Sequence, residues 1–190
     1  MTSIEFVVPG EVASQPRPRA QVVARHGRKA FAHIYTPDTA REWRQQVILH
    51  ARRATGFPRD PWTGTVLIWI DAFFARTKEL HQARYPDEAF LRNDPPDADN
   101  VAKAILDALQ PPKPPKGITN EAILRAHRAG YLFVNDSCVH IECVRRWWTE
   151  RSSGPGALVR AAHIPSDRHG PTSGGLESAL AQVAWHQAGA

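Results

Sequence analysis

The segment GTVLIWIDAFFA, residues 64–75, places the strongest constraint on how this chain can fold. Its residues are mostly β-branched, aliphatic or aromatic, and this composition favours a strand. The segment is almost continuously apolar and does not alternate with polar residues, so both of its faces must be covered. We therefore expect it to be the central strand of a sheet.

Strand and helix patterns alternate along the rest of the chain. Strands are expected at residues 4–8, at 22–25 and 29–36 (as a hairpin), at 131–134 and at 138–147; helices are expected from about 36 to Gly56, over 100–109 and just before Gly130. This order predicts an α/β (α+β) fold, a compact single domain with a mixed β-sheet flanked by helices.

Composition divides the chain into two parts. Residues 1–150 carry the strand and helix patterns and are expected to form the folded domain. Residues 151–190 are rich in Gly, Ser, Pro and Ala and contain few large apolar side chains. They are predicted to form a flexible, largely disordered tail.

Composition also bounds the environment and the partners. No apolar run approaches the roughly 20 residues that span a bilayer, and the N-terminus lacks the pattern of a secretory signal. Cys138 and Cys143 fall on opposite faces of one expected strand and cannot easily pair, which favours a reduced, cytoplasmic location. The net charge of +5 and the pI of about 9.6 favour a polyanionic partner, most simply nucleic acid.

Acidic residues are concentrated in NDPPDADNVAKAILDALQ, residues 93–110. An ordinary structural explanation exists. Asp99 is a plausible helix N-cap, acids near a helix start interact favourably with its dipole, and Lys103 can pair with Asp99 and Asp107 one turn away.

A metal site explains the same residues in another way. Asp97 and Asp99 are separated by one residue and can aim at a common point, and crowding them costs Coulomb energy unless a cation lies between them. Carboxylate oxygens in small number suit Mg²⁺, and Asp136, in a turn between two expected strands, could add a third. Such an ion activates water for attack on a phosphodiester, and Lys103 could stabilise the charge that develops.

These segments, together with others along the chain, resemble a known family. PDADNVAKAILDAL and HRAGYLFVNDSCV, with IEFVVPGEV, QPRPRA and YTP, are similar to the RusA-type Holliday junction resolvases of bacteria and their phages, over about residues 4–146. The resemblance implies that Asp97, Asp99 and Asp136 bind the metal and that Lys103 is the catalytic lysine. It also implies a homodimer that uses Mg²⁺ or Mn²⁺ and nicks four-way DNA symmetrically with its two active sites.

Two positions depart from the family pattern. Asn135 stands where members often have a second Asp; its amide oxygen can coordinate a hard cation but brings no charge. Residues from about 111 to 124 look like an insertion that could alter the dimer or the path of the DNA.

Basic residues precede the acidic motif in the sequence. They are either a solvated hairpin or a DNA-contacting arm, and an acidic site that must attract a polyanion favours the second interpretation. The expected DNA-binding residues are Arg17, Arg19, Arg25, Arg28 and Lys29.

The pattern therefore predicts a Mg²⁺-dependent endodeoxyribonuclease that resolves Holliday junctions in recombination and repair. Two alternatives stay open. One is a branched-DNA-binding protein that has lost catalysis through Asn135, and the other is a Mg²⁺ nuclease with less selectivity for DNA structure. Neither G-x-S-x-G nor G-x-x-x-x-G-K-[ST] occurs, so nothing supports a serine hydrolase or a P-loop NTPase.

Overall fold

A computed structural model describes residues 2–14, 19–23, 31–35, 38–56 and 60–165. Its elements are β1 (Thr2–Pro9), β2 (Arg19–Val23), β3 (Phe31–Tyr35), α1 (Asp38–Thr55), β4 (Gly64–Phe74), β5 (Phe90–Leu91), α2 (Ala98–Leu109), α3 (Glu121–Arg128), β6 (Val139–Trp148) and β7 (Gly156–Pro165), with 3-10 turns at Glu79–His81 and Asp136–Cys138. Five strands form one sheet in the order β1-β7-β4-β6-β5, and β2 pairs with β3 separately. Only β4 and β6 run parallel in the five-stranded sheet, so the expected mixed α/β fold is confirmed.

Strand β4 lies at the centre of the sheet, as its apolar sequence predicts. Val66, Ile68 and Ile70 face the main core on one side and are fully buried or nearly so. Leu67 and Trp69 face the other side, where they form a second buried cluster with Ala162. Both faces of the strand are therefore covered.

Helices α1 and α2 pack against the same face of the sheet. Trp43 and Val47 of α1 and Val101 and Ile105 of α2 belong to one buried cluster with the inward side chains of β4. Helix α1 ends at Thr55, before Gly56, whose φ of 63° is the left-handed conformation that favours glycine. None of the helices in the described ranges combines the length and apolarity needed to cross a membrane.

The prediction of a flexible tail from residue 151 onward is wrong for the residues that form β7. This strand pairs with β1 on one side and β4 on the other, and it buries Ala157, Val159 and Ala161 in the core. Alanine has little side-chain area and low strand propensity, so the sequence signal was weak. Small side chains nevertheless fit a strand at the centre of a sheet that is covered by helices. Residues 166–190 lie outside the described part of the chain.

Two smaller expectations also change, and the expected hairpin is confirmed. The 131–134 strand reduces to a single bridge between Phe133 and Trp62. Cys138 lies in the 3-10 turn before β6 and not on the strand; both cysteines are free. The hairpin forms as β2 and β3, although its turn, residues 24–30, is outside the described ranges.

A buried acid ties β4 to its neighbours on the second face of the sheet. Asp71, 5% exposed, accepts bonds of 2.6 and 2.7 Å from Arg145 of β6 and of 2.9 Å from the indole of Trp147. Arg160 of β7 approaches the same carboxylate at 3.4 Å. The hydrogen bond to Asp71 raises the pKa of Arg145 above its ordinary value. A buried carboxylate needs such partners, because an unpaired one would be costly.

The contact between β1 and β7 depends on a glycine. A Cβ added at Gly156 would lie 2.8 Å from the carbonyl oxygen of Val8. We expect Gly156→Ala to lower the free energy of unfolding by about 1–3 kcal/mol, because the strands must shift, as measured by chemical denaturation. Gly154→Ala is the control, since nothing lies within 4 Å of its added Cβ. Equal stability of the two variants would show that the β1–β7 contact is not tight.

Candidate active site

The loop that leads into α2 is attached to the edge of the sheet by Arg146. Its Nη1 atom donates hydrogen bonds to the carbonyl oxygens of Asp94, at 2.8 Å, and Pro96, at 2.6 Å. The backbone N–H of Arg92 donates to the carbonyl oxygen of Arg146 at 2.9 Å, which extends the pairing of β5 with β6. The Pro95-Pro96 peptide bond inside this loop is cis.

Arg92 provides a second attachment for the same loop. Its guanidinium lies between the rings of Phe74 and Trp148, 4.3 Å from each ring centre. It also donates to the carbonyl oxygen of Pro95 and approaches the Asp94 carboxylate at 3.4 Å. Burial lowers the pKa of Arg92 from its ordinary value and Arg146 lowers it further, while Asp94 opposes both effects. Arginine still stays charged in water near neutral pH, so the loop is held by two cations.

Helix α2 begins immediately after this loop. Asp97 is its N-cap residue, with φ −64° and ψ 150°, and its carbonyl oxygen accepts from the N–H of Val101. The expectation that Asp99 is the N-cap is therefore wrong, since Asp99 lies in the first turn. The Asp97 side chain makes no capping hydrogen bond, and both acids are exposed. Capping does not explain why a carboxylate stands at Asp97.

Further polar side chains follow Asp99 along one side of α2, and we call the set Asp99, Lys103, Asp107 and Gln110 the α2 polar face. Lys103 Nζ lies 3.6 Å from Asp107 Oδ1, which accepts at 3.1 Å from Gln110 Nε2. Gln110 Oε1 in turn accepts from the backbone N–H of Asp136 at 2.9 Å. A continuous line of polar contacts therefore runs from Lys103 to Asp136.

Asp136 lies at the opposite end of α2 from Asp97 and Asp99. It is fixed beside Gln110, which follows the last residue of the helix, and a helix of 12 residues is about 18 Å long. No three His, Cys, Asp or Glu side chains within the described ranges are grouped so that they could hold a metal ion. The structure brings Asp97, Asp99 and Lys103 to the first half of one helix, but it does not bring Asp136 to the two acids.

Asn135 has a local structural role. Its Oδ1 atom caps the 3-10 turn by accepting from the backbone N–H of Ser137 at 3.0 Å, and the Ser137 hydroxyl also donates to it. The amide therefore stabilises the turn that carries Asp136.

The two acids at the start of α2 offer the carboxylate oxygens that a hard divalent cation prefers. Mg²⁺ in proteins is commonly bound through one or two carboxylates, with waters and substrate phosphate completing its octahedron. Asp97 and Asp99 are exposed oxygen donors, and neither forms a salt bridge with another described side chain. This pair fits Mg²⁺, whereas a cage of three carboxylates does not form among the residues that the structure describes.

Comparison with known proteins identifies the family. The model of the family Endodeoxyribonuclease RusA matches residues 9–113, more than half of the chain. The chain belongs to the RusA endodeoxyribonuclease family. No curated protein matches it.

The RusA match covers only part of the candidate site. It includes Asp97, Asp99 and Lys103 and ends at residue 113, before Asp136. Membership of the RusA family implies, in general, an endonuclease that binds branched DNA and resolves Holliday junctions. The acids at the start of α2 therefore lie inside the matched region, and Asp136 lies outside it.

The basic residues expected to contact DNA fall mostly outside the described ranges. Arg17, Arg25, Arg28 and Lys29 are not described, and Arg19 is described only as a backbone position in β2. Their assignment as DNA-binding residues stays a prediction.

Sequence reasoning missed three residues that shape the site: Arg92, Arg146 and Gln110. A signal existed for Arg146, because in RRWW, residues 145–148, alternation places it on the same face of β6 as Trp148. The other two gave no signal, since their roles depend on contacts between segments far apart in the sequence.

The attachment by Arg146 can be tested without measuring activity. We expect Arg146→Gln to speed amide hydrogen exchange in residues 92–101 about tenfold, because two hydrogen bonds from a charged donor are lost. Arg84→Gln is the control, since the exposed Arg84 side chain contacts Glu79 and the ring of Tyr85 and makes no contact with residues 92–101. Unchanged exchange in Arg146→Gln would mean that other contacts hold the loop.

Proposed function

We propose that this chain is a Mg²⁺-dependent endonuclease that resolves four-way DNA junctions by paired symmetric nicks, as a homodimer acting in DNA recombination and repair in the cytoplasm. The observation that carries the proposal is the pair Asp97 and Asp99, exposed at the start of α2 within the family match, with Lys103 one turn further on. Mn²⁺ is an alternative ion, because it accepts the same oxygen ligands.

In the proposed mechanism Asp97 and Asp99 hold the ion, and Arg92 and Arg146 fix the loop from which Asp97 projects. Mg²⁺, when bound, supplies polarisation of a phosphoryl oxygen and a nucleophilic water near neutral pH. Lys103 places an ammonium group beside the scissile phosphate, where it stabilises the added negative charge. Asp107, 3.6 Å from Lys103 Nζ, orients that ammonium.

Asp136 enters the proposal as the acid at the far end of the α2 polar face. To share the ion with Asp97 and Asp99, it would have to leave Gln110 or come from a second copy of the chain. The variant Asp136→Asn distinguishes a ligand of the ion from an acid that serves only the fold or the substrate. If Asp136 is a shared ligand, its loss raises the Mg²⁺ concentration needed for half-maximal cleavage. If it serves only the fold or the substrate, its loss leaves that concentration unchanged.

A homodimer follows from the reaction. A four-way junction is resolved by two nicks on strands related by two-fold symmetry, and each chain carries one Asp97–Asp99 pair. Two chains with two-fold symmetry would present two such pairs to the two strands.

The decisive experiment uses a supercoiled plasmid that extrudes a cruciform, incubated with the protein and Mg²⁺. We expect linear product, which requires both nicks within one bound complex. Asp97→Asn and Asp99→Asn should each lower the cleavage rate at least about a hundredfold while leaving junction binding in Ca²⁺ intact. Asp87→Asn is the matched control, because Asp87 is an exposed acid paired with Arg151 away from α2. Full activity in Asp97→Asn would refute the assignment.

A second candidate function is junction binding without catalysis. It is favoured by the separation of Asp136 from the other acids and by the capping role of Asn135. It predicts chelator-insensitive binding and no cleavage in the same assay. A nuclease of broader selectivity would instead cut flaps or plain duplex as fast as junctions.

Lys103 gives a separate prediction. We expect Lys103→Ala to lower kcat by about 10²–10³, because one stabilising cation is lost from the transition state. The Mg²⁺ requirement should change little, and Lys103→Arg should recover part of the rate. Single-turnover cleavage at saturating protein measures this effect. A Lys103→Ala variant with wild-type kcat would leave the lysine as an ordinary surface cation.

A further inference from the structure

Residues 111–130, which we call the Pro-Lys arm, project from the end of α2. The chain leaves the core at Leu109 and returns at Leu132, whose N–H donates to the Leu109 carbonyl oxygen at 2.8 Å. Helix α3 of the arm buries no residue, and Ile123 is 51% exposed. Core packing therefore does not explain the presence of the arm.

The arm is nevertheless attached to the domain. Arg125 of α3 makes a two-pronged contact with Asp60, at 2.8 and 2.6 Å, and Arg52 of α1 donates to the Gly130 carbonyl oxygen at 3.0 Å. Within the arm, a ring nitrogen of His127 lies 2.8 Å from the Pro112 carbonyl oxygen. These contacts hold the arm in one place relative to α2.

The charge of the arm is strongly positive. It contains two lysines, two arginines and one acid, Glu121. Arg125 is paired with Asp60, and Arg128 lies 3.8 Å from Glu121. Lys113 and Lys116 are exposed and make no ion pair with any side chain in the described ranges. Two cations are therefore left for an external partner.

The prolines around these lysines prepare them for binding. In PPKPPK, residues 111–116, each proline fixes φ near −65° and biases the residue before it towards extended backbone. A stiff segment loses little conformational entropy when its side chains bind a ligand. The segment begins directly after Gln110, which contacts Asp136.

We infer that the Pro-Lys arm binds the DNA backbone, with Lys113 and Lys116 contacting phosphates of the branch that passes the C-terminal end of α2. The location of that branch rests on the proposed function, which places the cut strand at the start of the same helix. The family match ends at Lys113, so Lys116 and the rest of the arm lie beyond the matched region. Lysines neutralise phosphates and release counterions, so their contribution must depend on salt.

The test measures binding of a synthetic four-way junction in Ca²⁺ across about 50–200 mM salt. We expect the doubly substituted variant Lys113→Gln/Lys116→Gln to reduce the slope of log K against log salt by about two, one for each lysine. Lys78→Gln is the matched control, because Lys78 is exposed and follows the C-terminal end of β4, outside both the arm and the α2 polar face. Its slope should equal that of the unmodified chain.

A footprint provides the second measurement. Bound junction should protect Lys113 and Lys116, but not Lys78, from an amine-acetylating reagent. An unchanged slope in the double variant, or acetylation of both arm lysines at the same rate with and without DNA, would overturn the inference. If the chain binds junctions through these lysines but does not cut them, the proposed function fails and the arm contact stands. If the chain cuts junctions but the double variant has an unchanged slope, the proposed function stands and the arm contact fails.

Discussion

The hydrogen bonds from Arg146 to the carbonyl oxygens of Asp94 and Pro96 attach the loop before α2 to strand β6, and this attachment positions the acids at the start of the helix. Arg146 can make them because alternation along β6 turns it to the helix side, together with Trp148, whose ring packs on Arg92. Arg145, one position earlier, points to the other face of the sheet and donates a hydrogen bond to Asp71. A shift of β6 by one residue would exchange these two arginines, so the register of the central sheet fixes the position of the acidic loop.

Sequence patterns revealed the parts of the fold in which large apolar side chains recur at regular spacing. Strand β4 and helices α1 and α2 are of this kind. Strand β7 was missed because its buried residues are mainly alanines. Alanine gives only a weak strand signal, and whether it forms a strand depends on its neighbours in the sheet. The closeness of Asp97, Asp99 and Lys103 at the start of α2 was predictable because they lie within seven consecutive residues; their roles stay a prediction. The position of Asp136 depends on the path of the chain through the Pro-Lys arm, and local patterns carry no information about that path.

Asp97 shows how stability and binding capacity compete at one position. A carboxylate at an N-cap that accepts a backbone N–H typically stabilises a helix by about 0.5–2 kcal/mol. The Asp97 side chain does not make this bond, so part of that stabilisation is forgone and the oxygen atoms remain available to a cation. The start of the helix is instead held from outside, by Arg92 and Arg146 acting on the preceding loop. Local disagreement between a good capping residue and an unused cap is typical of functional sites.

The spacing of charges along α2 limits which cations of the chain can act on the acidic pair. The Pro-Lys arm and the acids lie at opposite ends of a helix about 18 Å long, and charges in water are screened beyond about 8–10 Å at ordinary ionic strength. The arm lysines therefore cannot offset the repulsion between Asp97, Asp99 and an incoming phosphate. Lys103 is nearer, but Asp107 already takes part of its charge. In the proposed function, a cation bound at the pair itself would offset this repulsion at the start of α2, and the arm and the ion would then act on different phosphates of the same substrate.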